Sequence, residues 1–432
     1  MSFFKKIVIT ILILEAKLIL KKYRPFVIAV TGSVGKTTTK DALYDVVRQR
    51  GGYVRKSEKS LNSEIGLPLT IIGVPNAWRN MKGWIENIQS GLKLILGKHT
   101  YPDTLILEVG ADHPGDISNI AQWLKPDVVV ITRVGSTPVH VEFFSSPEQV
   151  FEEKASLAKY MKKGGTLILF TDEPKVLTIA DMVKEKNLKV MTFGMDEKAS
   201  IRGTNYRVQG DSGPTGFSFD LVTAEKTTPL SVAGIVGTTY MYPLLAASAV
   251  GIACGMDMPR IIQGLREYQP PKGRMNIIPA INGATLIDDT YNSSPDAVLA
   301  ALSALKDMNC TESRIAVLAD MMELGKYSAE QHRIVGAAVV GSAQRLVTVG
   351  QRSRATADEA IKHGMSSDMV HMCDTAFEAG EFLKGIVASG DIILVKGSQS
   401  MRMERVSSAL LRDPSKAPEV LVRQEKEWLE KK

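Results

Sequence analysis

A short glycine-containing segment near the start of the sequence combines the residue types that bind a triphosphate. Gly32 and Gly35 are followed by Lys36 and Thr37. Glycines let backbone N–H groups approach phosphate oxygens, a lysine reaches the β- and γ-phosphates, and a hydroxyl binds Mg²⁺. Because Val30 occupies the position of the first glycine in the strict pattern, we interpret the segment as a variant phosphate-binding loop.

The segments around the loop have the pattern that such a loop requires. Residues 26–30 are a buried-strand candidate, and residues 38–49 are predicted to form a helix. A strand, a glycine-rich turn and a helix in this order form the usual opening of a nucleotide-binding domain. The sequence therefore predicts that this part of the chain binds ATP.

Further apolar strand candidates alternate with helical stretches in two regions of the chain. This alternation is typical of parallel sheets that are covered by helices on both faces. The candidates are residues 104–109, 128–132 and 166–170 in the first region and 285–287, 315–318, 345–349 and 392–395 in the second. We expect an α/β fold, with a P-loop ATPase-type parallel sheet domain followed by a Rossmann-like α/β domain.

The pattern also indicates where the domains begin and end. Residues 200–236 alternate in short segments broken by Gly and Pro, which predicts a small antiparallel appendage to the first domain. The Pro and Gly content of residues 269–273 marks a linker. The expected units are a leader helix at 1–25, an ATP-binding domain at 26–271 and a C-terminal domain at 272–432.

The leader is an apolar segment with basic ends. Residues 7–20 are nearly all apolar, but Glu15 and Lys17 interrupt them, and a membrane-spanning helix needs about 20 apolar residues. A helix would place four apolar side chains on one stripe: Ile7, Ile11, Leu14 and Leu18. We expect the stripe to dock on the protein or to lie on a membrane surface through residues 3–22.

Composition narrows the class of protein. The chain has 432 residues, 44% of them hydrophobic, and can therefore bury the cores of several domains. A net charge of +6 and an aromatic content of 6% do not suggest a nucleic-acid groove with stacking platforms. Three widely spaced cysteines argue against a disulfide framework and a cysteine zinc site. We expect a cytoplasmic monomer, acting on small molecules either freely or at the inner face of the membrane.

Two segments of the first domain resemble the Mur ligase family, which builds the peptide of bacterial cell-wall precursors. The segment TGSVGKTTTK at 31–40 is similar to the ATP loop of that family, and LNSEIGLPLT at 61–70 resembles its next block. The resemblance adds Ser33 and Thr38 to the residues expected to contact ATP. It also implies that Asn62 lies by the substrates.

A ligase that activates a carboxylate with ATP needs cations, because the two anions repel each other and charge builds on the transferred phosphoryl group. Glu108, at the end of a strand candidate, and His140, in the loop after another, resemble the Mg²⁺ ligands of the family. Lys154 occupies the position of a family lysine that CO₂ converts into an anionic carbamate. The resemblance thus implies two Mg²⁺ ions held by these residues and Thr37, with Lys36 as a further catalytic residue.

Motifs of the second domain indicate a branch of the family. The segment KGRM at 272–275 resembles the inter-domain motif whose arginine, here Arg274, meets the nucleotide. The segment DDTYNSSP at 288–295 resembles the branch that adds D-alanyl-D-alanine, whereas other branches carry a histidine in this turn. The resemblance assigns Asp289 and Asn292 to nucleotide binding.

Two later blocks match the same branch. The segment DMMELG at 320–325 precedes His332, although Ala319 stands where a glycine is usual, and KGS at 396–398 matches the last block. The resemblance assigns four side chains to substrate binding: Asp320, Glu323, Lys396 and Ser398.

The sequence departs from the family in two places. Thr239, Tyr240 and Pro243 stand where the family has a Gly-x-His-Asn turn and a later Asn, so the usual adenine contacts are not matched. Only the leader precedes the phosphate loop, where the branch usually has a UDP-binding domain. Recognition of the acceptor is therefore expected to differ from that of the branch.

Together these features predict an ATP-dependent peptide ligase of cell-wall precursor synthesis. A peptide carboxylate would become an acyl phosphate, and D-alanyl-D-alanine would attack it, with ADP and phosphate as the other products. The alternative is a Mur-type amide ligase with another acceptor, such as a lipid-linked or poly-amino-acid substrate. A ligase fed with ammonia by a glutaminase is disfavoured, because relatives of that kind carry a four-cysteine zinc insert that this sequence lacks.

Overall fold

The computed structural model describes residues 3–58, 61–78, 80–135, 143–211 and 213–430, and it contains two β-sheets. The strands of the first sheet are β1 (Phe26–Thr31), β2 (Val54–Lys56), β3 (Thr104–Glu108), β4 (Val128–Ile131), β5 (Thr166–Phe170), β6 (Lys189–Gly194), β7 (Ile201–Gln209), β8 (Gly216–Val222) and β9 (Thr227–Ala233). Their spatial order is β2-β3-β1-β4-β5-β6-β7-β8-β9. Neighbours from β2 to β7 are parallel, and β8 and β9 extend the sheet in antiparallel pairing.

The central strands of this sheet are runs of Val, Ile and Leu. All positions of β3, β4 and β5 are buried, because a parallel strand covered on both faces needs apolar side chains on both sides. The helices of this half are α1 (Phe3–Tyr23), α2 (Lys36–Val47), α3 (Gly66–Ile72), α4 (Met81–Leu96), α5 (Asp116–Leu124), α6 (Pro147–Lys159), α7 (Pro174–Met182), α8 (Met241–Ala253) and α9 (Met258–Arg266).

The second sheet has six strands in the order β10-β11-β15-β12-β13-β14. They are β10 (Asn276–Pro279), β11 (Thr285–Asp289), β12 (Arg314–Ala319), β13 (Arg345–Val349), β14 (Val370–Cys373) and β15 (Ile392–Lys396). Only the β10–β11 pair is antiparallel. The helices are α10 (Pro295–Asp307), α11 (Ser328–Val339), α12 (Arg354–Lys362), α13 (Ala376–Lys384), α14 (Glu404–Leu410), α15 (Ala417–Val420) and α16 (Lys426–Leu429).

The expected α/β class, with parallel sheets and an antiparallel extension, is confirmed. The sequence did not predict β2, β6, β10 and β14. Strands β2, β10 and β14 lie at sheet edges, β6 lies between β5 and β7, and all four contain few fully buried positions. Short, half-exposed strands lack a continuous apolar run, and the sequence pattern is therefore weak at these positions.

Helix α1 packs against α3 and α4. Leu12 and Ile19 are fully buried, whereas Leu14 and Leu18 remain exposed. The helix therefore docks through the face opposite the stripe that the sequence suggested. Among the described residues, no helix has the length and apolar content needed to cross a membrane.

A carboxylic acid lies inside this helix contact. Glu15 is buried, neither of its carboxylate oxygens has a hydrogen-bond partner among the described residues, and a Cβ on Gly91 of α4 would overlap it. Burial raises the pKa of Glu15 to about 7, because loss of water disfavours the charged form.

We predict that Glu15→Gln stabilises the protein relative to the native chain at pH 8 and less so at pH 5. The pKa of Glu15 is raised on folding, so the stability linked to its proton is complete below the ordinary value of 4.5 and is lost as the pH rises through about 7. Melting temperatures of both proteins at the two pH values test this. An equal difference at both would contradict it.

Candidate active site

The loop between β1 and α2 lies at the carboxyl edge of the first sheet. Gly32 and Gly35 have φ values of 147° and 84°. A Cβ on Gly32 would lie 2.0 Å from Thr132 Oγ1, so only glycine lets the loop approach the end of β4. Helix α2 begins at Lys36, and its free N-terminal N–H groups are suited to phosphate oxygens.

Hydrogen bonds from the end of β4 fix the loop. Ser33 N and Val34 N donate to Arg133 O at 2.8 and 3.1 Å, and Thr132 Oγ1 donates to Val34 O at 2.8 Å. Ser33 Oγ is buried and has no hydrogen-bond partner among the described residues. Lys36 Nζ donates to Ser33 O at 3.3 Å. A hydroxyl and an ammonium group are therefore available to bind phosphate.

Glu108 lies beside this loop because β3 and β1 pair in parallel with Val30 opposite Glu108. Its carboxylate is buried and accepts hydrogen bonds from Thr37 Oγ1 at 2.9 Å and from Asn62 Nδ2 at 3.1 Å. Hydroxyl and carboxylate oxygens are the ligands that Mg²⁺ prefers. This donor set fits the expected metal, and Asn62 lies next to it.

Lys154 is buried on α6, near Lys36. The pKa of Lys154 is lowered to about 7, mainly by burial and also by the charge of Lys36, although Glu153 and Asp112 oppose the shift. Glu153 Oε1 also accepts from Ile117 N at 2.7 Å, and this bond ties α6 to the beginning of α5. An amine with a pKa near 7 is partly neutral at pH 7, and the neutral amine is the form that reacts with CO₂.

His140, predicted to bind metal, lies outside the described residues. Within the described part of the chain, no group of three or more His, Cys, Asp or Glu side chains could hold a metal ion. The described metal-binding candidates are thus Thr37, Glu108 and Lys154.

A cavity that opens to solvent connects the phosphate loop with the second sheet. Gly35 and Thr38 line it on one side, and Arg274, Asp289 and Lys396 line it on the other. Its walls therefore come from both halves of the chain. This arrangement can hold a nucleotide between them.

Two cationic side chains of the second half, Arg274 and Lys396, place positive charge at this cavity. The guanidinium of Arg274 lies 4.1 Å from the centre of the Tyr291 ring, and Arg274 Nε is buried without a hydrogen-bond partner in the described structure. Lys396 Nζ donates to Asp289 Oδ2 at 2.6 Å and to Asn292 O at 3.0 Å. Residues that the sequence assigned separately to nucleotide and substrate therefore lie together.

The remaining predicted substrate residues form a second cluster at the ends of β12 and β15. Ser398 N donates to Asp320 O at 3.2 Å, and Met322 N donates to Ser398 Oγ at 2.9 Å. The Asp320 carboxylate accepts from Ser353 N at 2.8 Å. Glu323 has a φ of 62° in the same turn. The parallel pairing of β12 with β15 brings these loops together.

The buried ring of His332 stabilises this second cluster through hydrogen bonds. Its Nε2 accepts from Met321 N at 3.0 Å, and its Nδ1 lies 2.8 Å from Ser328 O. Burial lowers the pKa of His332, which favours the neutral ring that can accept the first bond. His332 therefore holds the turn that carries Asp320 and Glu323.

The sequence did not identify the aromatic wall of the cavity. Phe170, Phe193, Tyr240 and Tyr242 line it, and Tyr242 Oη donates to Asp172 Oδ2 at 2.8 Å. Phe170 lies at the end of β5 and Phe193 near the end of β6, so the general rule that ligands bind at the carboxyl ends of parallel strands would have found them. The two tyrosines belong to the segment that departs from the family.

The chain belongs to the Mur ligase family. The Mur ligase middle domain matches residues 30–251, and the Mur ligase glutamate ligase domain matches residues 273–399. The chain is therefore an ATP-dependent amide ligase, and it acts in the synthesis of cell-wall precursors.

Relatives within the family carry more specific names. The UDP-N-acetylmuramoyl-tripeptide–D-alanyl-D-alanine ligase of Bacillus subtilis is 28% identical over 404 residues, which cover 92% of this chain and 79% of the relative. The ligase of the same name from Mycobacterium leprae is 29% identical over 418 residues, which cover 91% and 74%.

Solved structures agree with this relationship. The MurF ligase from Thermotoga maritima in complex with ADP has a TM-score of 0.75 at 25% identity, over 93% of this chain and 83% of the other. MurF from Acinetobacter baumannii has a TM-score of 0.75 at 24% identity, over 93% and 80%. Both share the fold described above.

We predict that Gly32→Ala weakens ADP binding at least about tenfold, because the added Cβ collides with Thr132 and a strained φ costs roughly 1–3 kcal/mol. Gly164→Ala is the matched control. Gly164 also has a positive φ, but it precedes β5 at the opposite edge of the sheet and has open space around it. Calorimetric titration with ADP measures both. Equal affinities for the two variants would contradict the close approach.

Proposed function

We propose that this ligase joins D-alanyl-D-alanine to the terminal carboxylate of a muramoyl tripeptide, with ATP bound in the cavity between the two sheets. The observation that carries the proposal is the composition of that cavity. Loop residues Gly35 and Thr38 face Arg274 and Lys396 of the second half across it. The names of the relatives support the choice of amine.

In the proposed reaction, the peptide carboxylate attacks the γ-phosphate of ATP and ADP leaves. The amine of D-alanyl-D-alanine then attacks the acyl phosphate, and phosphate leaves. Lys36 and the N–H groups at the start of α2 hold the transferred phosphoryl group. Arg274 adds positive charge from the second half. Catalysis of this kind depends mainly on positioning and on charge stabilisation.

Thr37, Glu108 and His140, with Lys154 as a carbamate, are the proposed ligands of two Mg²⁺ ions, which would neutralise charge on the triphosphate. The lowered pKa of Lys154 supports the carbamate, because the neutral amine is the reacting form. Without carbamylation, the side chain of Lys154 would be an amine near Lys36, and it would have no anionic group that could bind a metal ion. Carbamylation would give this buried side chain an anionic group that can bind a metal ion.

A lipid-linked acceptor is the second candidate for the carboxylate substrate. The observation that favours it is the exposed apolar stripe of α1, in which Leu14 is 56% exposed. An enzyme that uses a lipid-linked acceptor has to work close to a membrane. We propose a cytoplasmic enzyme in either case.

Phosphate release with UDP-muramoyl-tripeptide and D-alanyl-D-alanine, each omitted in turn, tests the proposed substrates. We expect release only when both are present, and we expect Lys36→Ala to lower it at least about a thousandfold. Release that is independent of D-alanyl-D-alanine would contradict the proposed amine. Release with D-alanyl-D-alanine and a lipid-linked tripeptide, but not with D-alanyl-D-alanine and UDP-muramoyl-tripeptide, would select the second candidate.

Lys154→Ala tests the carbamate. We expect this variant to lose nearly all activity and to regain part of it with added acetate, because a free carboxylate can replace the missing anion. Lys159→Ala is the control, since Lys159 is exposed on the same helix. Full activity of Lys154→Ala without acetate would remove Lys154 from the site.

A further inference from the structure

Exposed apolar side chains are concentrated on one part of the surface. Of the twenty large apolar side chains that are exposed in the described structure, eight belong to α1, α4 and the turn before α4. On α1 they are Ile7, Leu14 and Leu18. None of these eight side chains lines the cavity described above. Contact with a nucleotide in that cavity therefore does not explain their exposure.

Helix α4 carries a stripe of its own. Met81, Ile85, Leu92 and Leu96 are spaced so that they fall on one side of the helix, and Leu96 is 84% exposed. Trp78, in the turn before α4, is 75% exposed. Large apolar side chains in a continuous exposed group mark an interaction site.

The contacts between α1 and α4 fix the relative direction of the two helices. Lys22 Nζ donates to Leu94 O at 2.8 Å and to Ile95 O at 2.9 Å. Tyr23 Oη also donates to Leu94 O, at 2.9 Å. The C-terminal ends of the helices therefore adjoin, and the two helices run in the same general direction. The contact of Glu15 with Gly91 marks the line along which they meet.

The two stripes lie on the same face of the helix pair. Successive residues of a helix are about 100° apart. Viewed from the N-terminal end, Leu14 and Leu18 are rotated anticlockwise from Glu15, whereas Leu92 is rotated clockwise from Gly91. In two helices that run in the same direction, opposite rotations from the contact line point to one side. We call this surface the α1–α4 face.

Lysines border the α1–α4 face on its outer margins. Lys17 and Lys21 of α1 and Lys82 and Lys93 of α4 are exposed beyond the apolar stripes. Among the described side chains of the two helices, Glu86 is the only acidic one that is exposed. Apolar side chains bordered by lysines, with a tryptophan at one end, are typical of helices that lie in a membrane interface.

We propose that the α1–α4 face binds the surface of an anionic lipid bilayer, with the apolar stripes at the acyl boundary and the lysines at the lipid phosphates. A second copy of the chain fits less well, because a symmetric contact would place the lysine margins of both copies together. The proposal does not depend on the identity of the ligase substrates.

Co-sedimentation of the full chain with vesicles tests the proposal. We expect binding to vesicles that contain phosphatidylglycerol, a marked loss of binding at high salt, and little binding to pure phosphatidylcholine. Leu96→Glu should lower the partition coefficient at least about tenfold. Phe377→Glu is the matched control, because Phe377 is 71% exposed on α13 and carries the same change of charge.

Melting temperature and phosphate release should be unchanged in both variants, which shows that the fold and the active site are intact. Equal vesicle binding by Leu96→Glu and Phe377→Glu would overturn the proposal, as would a native chain that does not bind anionic vesicles. Sedimentation velocity is measured in parallel. A dimer that Leu96→Glu dissociates, without vesicle binding, would assign the face to a second copy and overturn the proposal.

Discussion

The active site depends on the parallel pairing of β1 with β3 on one side and β4 on the other. Parallel strands end at the same edge of a sheet, and this pairing places Glu108 opposite Val30 and Ile131 opposite Thr31. The phosphate loop, the carboxylate of Glu108 and the hydroxyl of Thr132 consequently meet at one point. A shift of one residue in either pairing would separate them, because side chains alternate between the two faces of a sheet.

Parallel strand pairing also positions charged side chains of the cavity in the second half of the chain. Asp289 and Lys396 are register partners on β11 and β15, and their side chains meet in a buried ion pair at 2.6 Å. A buried pair of this kind holds its geometry well, because removal of one partner leaves an uncompensated charge. The pair thus fixes the wall of the cavity next to Arg274. A nucleotide in the cavity would touch both halves of the chain, so its binding would link them.

Much of this arrangement could be predicted from the sequence. The features that could not be predicted were missed for physical reasons. The phosphate loop and Glu108 follow from a local motif and from the end of an apolar strand. The contact between Asp289 and Lys396 could not be predicted, because β15 inserts between β11 and β12 in the sheet. The docking face of α1 was missed because both of its faces are apolar, and periodicity alone cannot choose between them. Tyr240 was noted only as a departure from the family, and Tyr242 was not identified, since a cavity wall needs three-dimensional context.

We propose that a carboxylate is activated as an acyl phosphate at the carboxyl edge of the first sheet. In an isotope experiment, the peptide acceptor is prepared with oxygen-18 in its terminal carboxylate, and the released phosphate is analysed by mass spectrometry. An acyl phosphate transfers one labelled oxygen of the carboxylate to phosphate, and we therefore expect each released phosphate to carry a single label. Turnover that yields unlabelled phosphate would contradict it.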